Sequence, residues 1–209
     1  MIRGERVVHG PVRSEHIVQF FDTTESLGDS IGAYLAEGLS QGEHLLVVAR
    51  KLNWQAISGQ LATLGWDVPA AIANCRLTLL DANLTLREVM RSGLPDSILF
   101  HKTVGELAQH HCKTPGGLRV YGEMAEILAE EANFHAAQRL EELWNELAAR
   151  CAFVLLCGYS AVHFATHDRV ALSAICATHT HVHAKPDDPL AHWLIARERL
   201  TNREDVLPS

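Results

Sequence analysis

The sequence predicts an α/β fold, a three-layer sandwich whose central sheet is mainly parallel. In the stretch 118–159, two short apolar runs flank a long segment with helical spacing. A strand, a crossover helix and a second strand of one sheet are nearly always parallel and right-handed. Apolar runs and amphipathic segments also alternate along the rest of the chain. This alternation predicts helices on both faces of the sheet.

The first part of the chain predicts two strands, each followed by a helix. The segment 15–21 is predicted as the first strand, and the apolar run 45–49 as a second, buried strand. Asp22 lies three residues before Glu25, the spacing of a capping box. Apolar residues then recur at three- and four-residue intervals, which predicts two helices. These helices cover 27–39, ending at Gly38 or Gly42, and 52–64, ending at Gly65.

The middle of the chain predicts shorter elements separated by proline and glycine. They are a strand over 76–80, helical pieces over 83–92 and 96–112, a turn at 115–117 and a strand from 118. An apolar stripe from Phe134 to Cys151 then predicts a longer helix. Its opposite face is polar and suits solvent, with Gln138, Glu142, Asn145 and Glu146.

The last part predicts a strand over 151–156, a helix over about 168–182 and an amphipathic helix over 189–200. Asp187, Asp188 and Pro189 separate the two helices. We therefore predict a flexible N-terminal arm over 1–14, one domain over 15–183, and a C-terminal helix and tail over 184–209.

Composition excludes several classes of protein. Of 209 residues, 47% are apolar, enough for the core of one α/β domain. The formal charge is −7 and no basic block occurs, which argues against direct contact with nucleic acid. No apolar run approaches the roughly 20 residues that span a bilayer, and the N-terminus lacks a signal-peptide core. Five cysteines without a Cys-x-x-Cys pair predict reduced thiols and a cytoplasmic protein.

The motifs of nucleotide chemistry are absent. A phosphate-binding loop needs several glycines followed by Lys and Ser or Thr. The loop after the first strand, 22–28, has one glycine, no lysine and two acidic residues, which repel anions. The dinucleotide fingerprint is missing, and Gly158-Tyr159-Ser160 is only a fragment of a nucleophile elbow. We predict a protein that is not an enzyme.

Polar residues at the strand ends are the first candidates for a site. Ligands of open parallel sheets bind outside the carboxyl ends of the strands, where we expect Arg119, Glu123 and Tyr159. Arg119 and Glu123 predict an ion pair, which either ties strand to helix or presents a polar patch to a ligand. His16, at the start of a strand, is open to the same two interpretations.

Cysteine and histidine residues offer a second possibility. Cys176 and His179 are three apart on a predicted helix and share a face. With Cys157 and His16 they could bind zinc or copper, which accept thiolate and imidazole ligands. The alternative is that both cysteines are small buried side chains. The run 110–112, His-His-Cys, is interpreted as a helix end where histidine suits the dipole.

Several short motifs, in order, resemble one known family. They are His16-Ile-Val-Gln-Phe-Phe21, Glu37-Gly-Leu-x-x-Gly-Glu43, Leu118-Arg-Val-Tyr-Gly-Glu-Met124, Leu140-Glu-x-x-Trp-Asn145, Leu156-Cys-Gly-Tyr159 and Ile175-Cys-x-x-His179. Over about residues 14–183 the chain resembles the MEDS domain, a sensory domain of methanogen and methylotroph regulators. The resemblance implies a RecA- or KaiC-like layout with a lost phosphate loop. It also implies a sensor of small hydrocarbon derivatives.

Carried over by motif, the resemblance implies a set of ligand-binding residues. They are His16, Phe21, Arg119, Glu123, Cys157, Tyr159, Cys176 and His179. Relatives usually carry an output domain and this chain shows none, so we expect a separate partner, such as a kinase, an ATPase or a transcription regulator.

Three hypotheses follow for the function. The first is a cytoplasmic sensory domain that binds a small molecule without a cofactor and signals to that partner. The second is a metal- or thiol-redox-responsive module that holds zinc or copper. The third is a degenerate ATPase-like interaction scaffold that self-associates.

Overall fold

The computed structural model describes residues 14–161 and 169–183. Except for Ser14, the predicted N-terminal arm over 1–14 lies outside the described residues. The predicted C-terminal helix and tail over 184–209 lie outside them as well.

Within the described residues, six strands form one parallel sheet. They are β1 (Glu15–Phe21), β2 (His44–Ala49), β3 (Leu77–Asp81), β6 (Leu118–Gly122), β7 (Val154–Ser160) and β8 (His181–His183). Their order across the sheet is β3-β2-β6-β7-β1-β8. A separate antiparallel hairpin joins β4 (Met90–Arg91) to β5 (Leu94–Pro95).

Helices cover both faces of the sheet. On one face lie α1 (Thr24–Gln41), α2 (Lys51–Thr63) and α3 (Val68–Ala73). On the other lie α4 (Ala82–Val89), α5 (Ser97–Phe100), a π-helical turn (His101–Gly105), α6 (Glu106–His111), α7 (Met124–Glu130), α8 (Phe134–Ala148) and α9 (Arg169–Ala177). Each face has its own apolar core cluster. The structure is therefore the three-layer α/β sandwich that the sequence predicts.

Alternation along each strand assigns side chains to the two cores. In β1, Val18 and Phe20 join the core beneath α8, whereas Ile17 and Phe21 join the core beneath α1. In β7, Cys157 and Tyr159 share the α8 face. These two strands are adjacent, so residues of one face meet across them.

Several predicted boundaries differ from the structure. Thr23 and Ser26, rather than Asp22 and Glu25, form the capping box of α1. Helix α1 ends at Gly42, whose φ of 80° is left-handed, a conformation that glycine adopts without strain. The helix predicted over 83–92 stops at Val89, where the β4–β5 hairpin begins.

The helix predicted over about 168–182 is also shorter in the structure. It ends at Ala177, and His181–His183 pairs in parallel with β1 as an edge strand. The Thr180 N–H donates to the carbonyl oxygen of His16 at 2.7 Å. The chain leaves the helix because β1 offers this free edge, which sequence periodicity does not show.

One disulfide is present, between Cys112 and Cys151 (S–S 2.09 Å). Cys112 caps the end of α6 and Cys151 lies between α8 and β7. The expectation of reduced thiols throughout the chain is wrong for this pair. The two residues are 39 positions apart and meet only through tertiary packing, so their spacing gave no sign of it.

The sequence predicts no membrane-spanning segment, and the helices that the structure describes can be checked for length and apolarity. None of them combines the length and apolarity required to cross a bilayer.

Candidate functional site

A cleft of about 330 Å³ opens at the carboxyl edge of the sheet, where β1 and β7 end. The loop from Phe21 to Thr24 forms one side, and Gly158–Ser160 forms another. Arg50, Asn53 and Glu126 contribute polar groups to the wall. The cleft lies where ligands of open parallel sheets bind, so Phe21 and Tyr159 of the predicted set line a cavity.

Glu123 lies behind the wall of this cleft and holds it together. Its side chain is 1% exposed. One carboxylate oxygen accepts from the Arg50 N–H at 2.9 Å and from Asn53 Nδ2 at 3.1 Å, and the other accepts from the Tyr121 hydroxyl at 2.9 Å. Burial raises the pKa of Glu123, although these donors oppose the shift. Glu123 thus joins β6 to the start of α2.

The predicted ion pair between Arg119 and Glu123 is wrong. Arg119 lies near the amino end of β6, where its guanidinium pairs with Glu43 and with Glu37 and stacks on the Tyr34 ring. Four residues of extended strand span about 13 Å, so the two side chains lie at opposite ends of the strand. Arg119 stabilises the amino edge of the sheet.

Glu126, which is not in the predicted set, is a second buried carboxyl group near the cleft. One of its oxygens accepts from the Ser160 N–H at 3.0 Å, and the Arg50 guanidinium lies 3.8 Å away. Burial raises the pKa of Glu126 to about 8. Arg50 also pairs with Glu130 at 2.8 Å, so this one cation faces three carboxyl groups.

A second group of polar side chains lies inside the core beneath α8. It consists of His16 on β1, Glu141 on α8, Cys157 on β7 and His179 after α9. One nitrogen, oxygen or sulfur atom from each lies within 4.8 Å of the others. We call these four residues the His-Glu-Cys cluster. Three of them belong to the predicted ligand set.

Glu141 contacts the other three residues of the His-Glu-Cys cluster, and its side chain is fully buried. The Tyr159 hydroxyl and the Cys157 thiol donate to it, and Nε2 of His16 lies 3.2 Å away. Burial alone would raise the pKa of Glu141, but His179, His16 and the Tyr159 hydroxyl outweigh it and lower the pKa. Burial also raises the pKa of the Cys157 thiol, which the Glu141 charge raises further.

Both histidines of the cluster are held by their Nδ1 atoms. Nδ1 of His16 lies 2.9 Å from Asn145 Oδ1, and the Asn145 amide group donates to the carbonyl oxygen of Thr178 at 2.8 Å. Nδ1 of His179 lies 2.7 Å from the carbonyl oxygen of Ile175. Burial lowers the pKa of His179 to about 4. Both rings therefore turn Nε2 toward Glu141.

The structure separates the predicted set into four places. His16, Cys157 and His179 meet in the core, Phe21, Glu123 and Tyr159 lie in or behind the cleft, and Arg119 lies at the opposite edge. Cys176 is half-buried against the core on α9, and Glu141 takes the place that Cys176 has in the predicted metal set.

Glu141 is missing from the predicted set, and Asn145 was predicted on the wrong face of α8. Glu141 falls between Ala137 and Trp144 at helical spacing, on the apolar stripe of α8. A charged residue on an apolar stripe is rare unless it has a buried partner, and this was the available signal. Asn145, predicted to face solvent, lies one turn further along and fixes His16.

A search of curated proteins finds no counterpart of this chain. Residues 15–180 match the family described as MEthanogen/methylotroph, DcmR Sensory domain, abbreviated MEDS. Because the match covers most of the chain, this protein belongs to the MEDS family of sensory domains.

Proposed function

We propose that this sensory domain binds a small organic molecule in the cleft at the ends of β1 and β7. The observation that carries the proposal is the cleft itself, which combines apolar walls from Phe21, Leu27 and Leu52 with polar groups from Arg50 and Asn53. Its volume of about 330 Å³ lies at the small end of the range for ligand sites. A compound of a few carbon atoms, such as a hydrocarbon derivative, suits this space.

The charges around the cleft favour neutral or cationic ligands over anions. Arg50 already pairs with Glu130 at 2.8 Å and with Glu123 at 3.4 Å. Asp22, also in the lining, is exposed and adds a further carboxylate. An anion that enters the cleft would lose its hydration, and the Arg50 guanidinium, which is already paired with carboxylates, would not compensate for this loss. Nucleotides and other phosphates are therefore poor candidates.

The signal would pass to a separate output protein in the cytoplasm, such as a kinase, an ATPase or a transcription regulator. The domain itself performs no catalysis in this proposal. A ligand that contacts both the 21–24 loop and the end of β7 favours the conformations in which these segments lie together. The partner would distinguish the occupied from the empty state.

Calorimetric titration of the purified protein tests the cleft as the binding site. The probes are methanol and methylamine as neutral and cationic compounds, and formate as the anion of the same size. We expect one of the first two to bind and formate not to bind. Thr24, half-buried in the cleft lining, is changed to Trp to fill the space, and we expect Thr24→Trp to abolish binding.

The matched control is Ser97→Trp. Ser97 lines a groove of similar volume, about 310 Å³, between α5 and α8, so this variant adds the same side chain to the other cavity. We expect Ser97→Trp to bind the probe as the native protein does. Loss of binding in Ser97→Trp alone would move the site to that groove. Binding of formate or of a nucleotide, or a defined oligomer that binds no probe, would contradict the proposal.

A further inference from the structure

We propose that the His-Glu-Cys cluster is a metal site in which His16, Glu141, Cys157 and His179 bind one divalent transition-metal ion. Zinc fits this donor set best, because it accepts imidazole nitrogen, thiolate sulfur and carboxylate oxygen together. The proposal uses residues other than those that form the cleft wall. It therefore stands or falls independently of the small-molecule site.

The distances between three of the four ligand atoms approach those of a tetrahedral site. Nε2 of His16, Sγ of Cys157 and Oε2 of Glu141 form a triangle with sides of 3.2, 3.3 and 3.4 Å. Nε2 of His179 lies 3.8 Å from the other oxygen of Glu141. Zinc bonds of about 2.0–2.3 Å place neighbouring ligand atoms roughly 3.3–3.8 Å apart in a tetrahedron. The four ligand atoms lie within 4.8 Å of one another, so the most widely separated pair must close by about 1 Å when the metal binds.

Both imidazoles are oriented as metal ligands are. A metal-binding histidine usually donates its other ring N–H to a carbonyl or carboxylate, which fixes the tautomer and the ring. His16 has Asn145 in this role and His179 has the carbonyl of Ile175. The Asn145 amide cannot turn over without losing its bond to Thr178, so its oxygen faces His16.

An unsatisfied nitrogen points into the cluster. The imidazole of His179 is fully buried, and its Nε2 has no hydrogen-bond partner among the residues that the structure describes. A buried polar atom without a partner costs free energy, and such atoms are rare in native proteins. A metal ion between the four side chains would bind this lone pair. The same ion would bind the lone pair of His16 Nε2, which lies 3.3 Å from Cys157 Sγ, because the ring N–H of His16 is at Nδ1.

Charge balance supports a dication. In the part of the chain that the structure describes, the ion-pair contacts of Glu141 are with two histidines, and neither arginine nor lysine reaches it. Coordination would remove the proton from Cys157, so that one thiolate and one carboxylate neutralise the two charges of the metal. The displaced proton leaves to solvent, and binding is therefore accompanied by proton release.

The position of the site indicates what the metal would do. All four ligands come from the protein and the cluster is buried, as in structural rather than catalytic zinc sites. The ligands come from β1, β7, α8 and the segment after α9. His179 lies two residues before the edge strand β8, so the metal would fix this C-terminal segment to the sheet.

The test uses protein produced without a histidine tag, because the histidines of a tag would bind metal themselves and add to the metal count. Elemental analysis should give about one zinc per chain. After removal with a chelator, titration with Co²⁺ should produce the thiolate-to-cobalt charge-transfer absorption, and zinc should release protons and raise the melting temperature. We expect Cys157→Ser to abolish the charge-transfer band, and Glu141→Gln to weaken metal binding by at least about tenfold.

Cys176→Ser is the matched control, because Cys176 lies close in sequence to His179 but outside the cluster. It should keep the absorption band and the metal affinity. If Glu141→Gln does not fold, the native protein gives an independent readout. Bound zinc should protect the Cys157 thiol from an alkylating reagent. Absence of tight metal binding by the native protein, or a band that depends on Cys176 instead of Cys157, would overturn the proposal.

Discussion

Three glutamates lie almost entirely inside the protein, and each is accommodated in a different way. Glu123 accepts hydrogen bonds from two side chains and a backbone N–H, Glu126 accepts from the Ser160 N–H, and Glu141 contacts two histidines. Burial of a carboxylate is costly unless its charge is neutralised or removed. The balance between these two outcomes determines how each residue responds to pH.

The raised pKa of Glu126 should make the free energy of unfolding fall as pH rises. Its pKa is raised to about 8 in the folded protein by burial, whereas an unfolded glutamate titrates near 4.5. The folded state therefore binds more protons between these values, and the free energy of unfolding falls as pH increases through this window. Since one pKa unit corresponds to about 1.4 kcal/mol, the loss amounts to a few kcal/mol.

Urea denaturation of native protein and Glu126→Gln, from pH about 5 to about 9, measures this effect. Glutamine keeps the oxygen that accepts from the Ser160 N–H but has no proton to lose. The native protein should lose stability relative to the variant as pH rises. Arg50, Glu123 and Glu130 surround the site in both proteins, so the difference between the two profiles reports the Glu126 carboxyl together with its coupling to these neighbours. Parallel pH profiles would contradict the assignment.

The residue scale also shows what side-chain chemistry alone could predict. Glu123 and Tyr159 were placed correctly near the carboxyl edge, because the last residues of two parallel strands share that edge. Arg119 was misplaced because its position along the strand was not counted. Glu141 needed the rule that a charge on an apolar helical stripe has a buried partner.

At the scale of elements, the close approach of α1 and α2 depends on a glycine. A Cβ atom added at Gly28 would lie 2.9 Å from Cβ of Ala56 and 3.1 Å from its carbonyl carbon. Both neighbouring atoms belong to the fixed part of α2, so the helices would have to separate. The loop that lines the cleft directly precedes α1. The packing of α1 therefore also positions one side of the cleft.

We expect Gly28→Ala to destabilise the protein by about 1–3 kcal/mol, the usual cost of overpacking. Gly59→Ala is the matched control, since Gly59 is exposed on α2 and an added Cβ meets nothing within 4 Å. This control should stabilise the protein by about 0.5–1 kcal/mol through helix propensity. Denaturant titrations of both variants measure the difference. Equal effects of the two variants would show that the helices do not touch at Gly28.

Helices and strands were predicted best where the apolar residues recur with a clear period and where the element does not depend on pairing with a distant strand. Helices α1 and α8 follow from their apolar spacing, and β2 from its unbroken apolar run. The β4–β5 hairpin and strand β8 have two and three residues, too short to show a period. Strand β8 exists because β1 offers it an edge, and that partner is more than 150 residues away in sequence.

At the scale of the whole molecule, the sequence predicts the three layers of the sandwich but not the order of the strands within the sheet. Alternating strands and helices require a parallel sheet covered on both faces, which the structure has. The order β3-β2-β6-β7-β1-β8 is a property of the assembled sheet, and it places β1 beside β7. This adjacency creates both the cleft and the His-Glu-Cys cluster. Neither could be derived from any single segment.

The disulfide predicts a further property of the whole molecule. Cys112 and Cys151 enclose β6, α7 and α8, and they are 39 residues apart. Closing a loop of this length reduces the entropy of the unfolded chain, a stabilisation of about 4 kcal/mol. Reduction should therefore lower the melting temperature by roughly 10 °C.

Calorimetric melting with and without a non-thiol reductant measures this difference, because thiol reductants would also bind metal. The double variant Cys112→Ser/Cys151→Ser should melt close to the reduced native protein and should not respond to reductant. Cys75→Ser removes an exposed thiol outside the pair and should behave as the native protein does. Titration of all five cysteines as thiols in untreated, unfolded protein would contradict the bond. It would then favour the reduced state that the sequence predicts, with the stability of the 112–151 segment depending on packing alone.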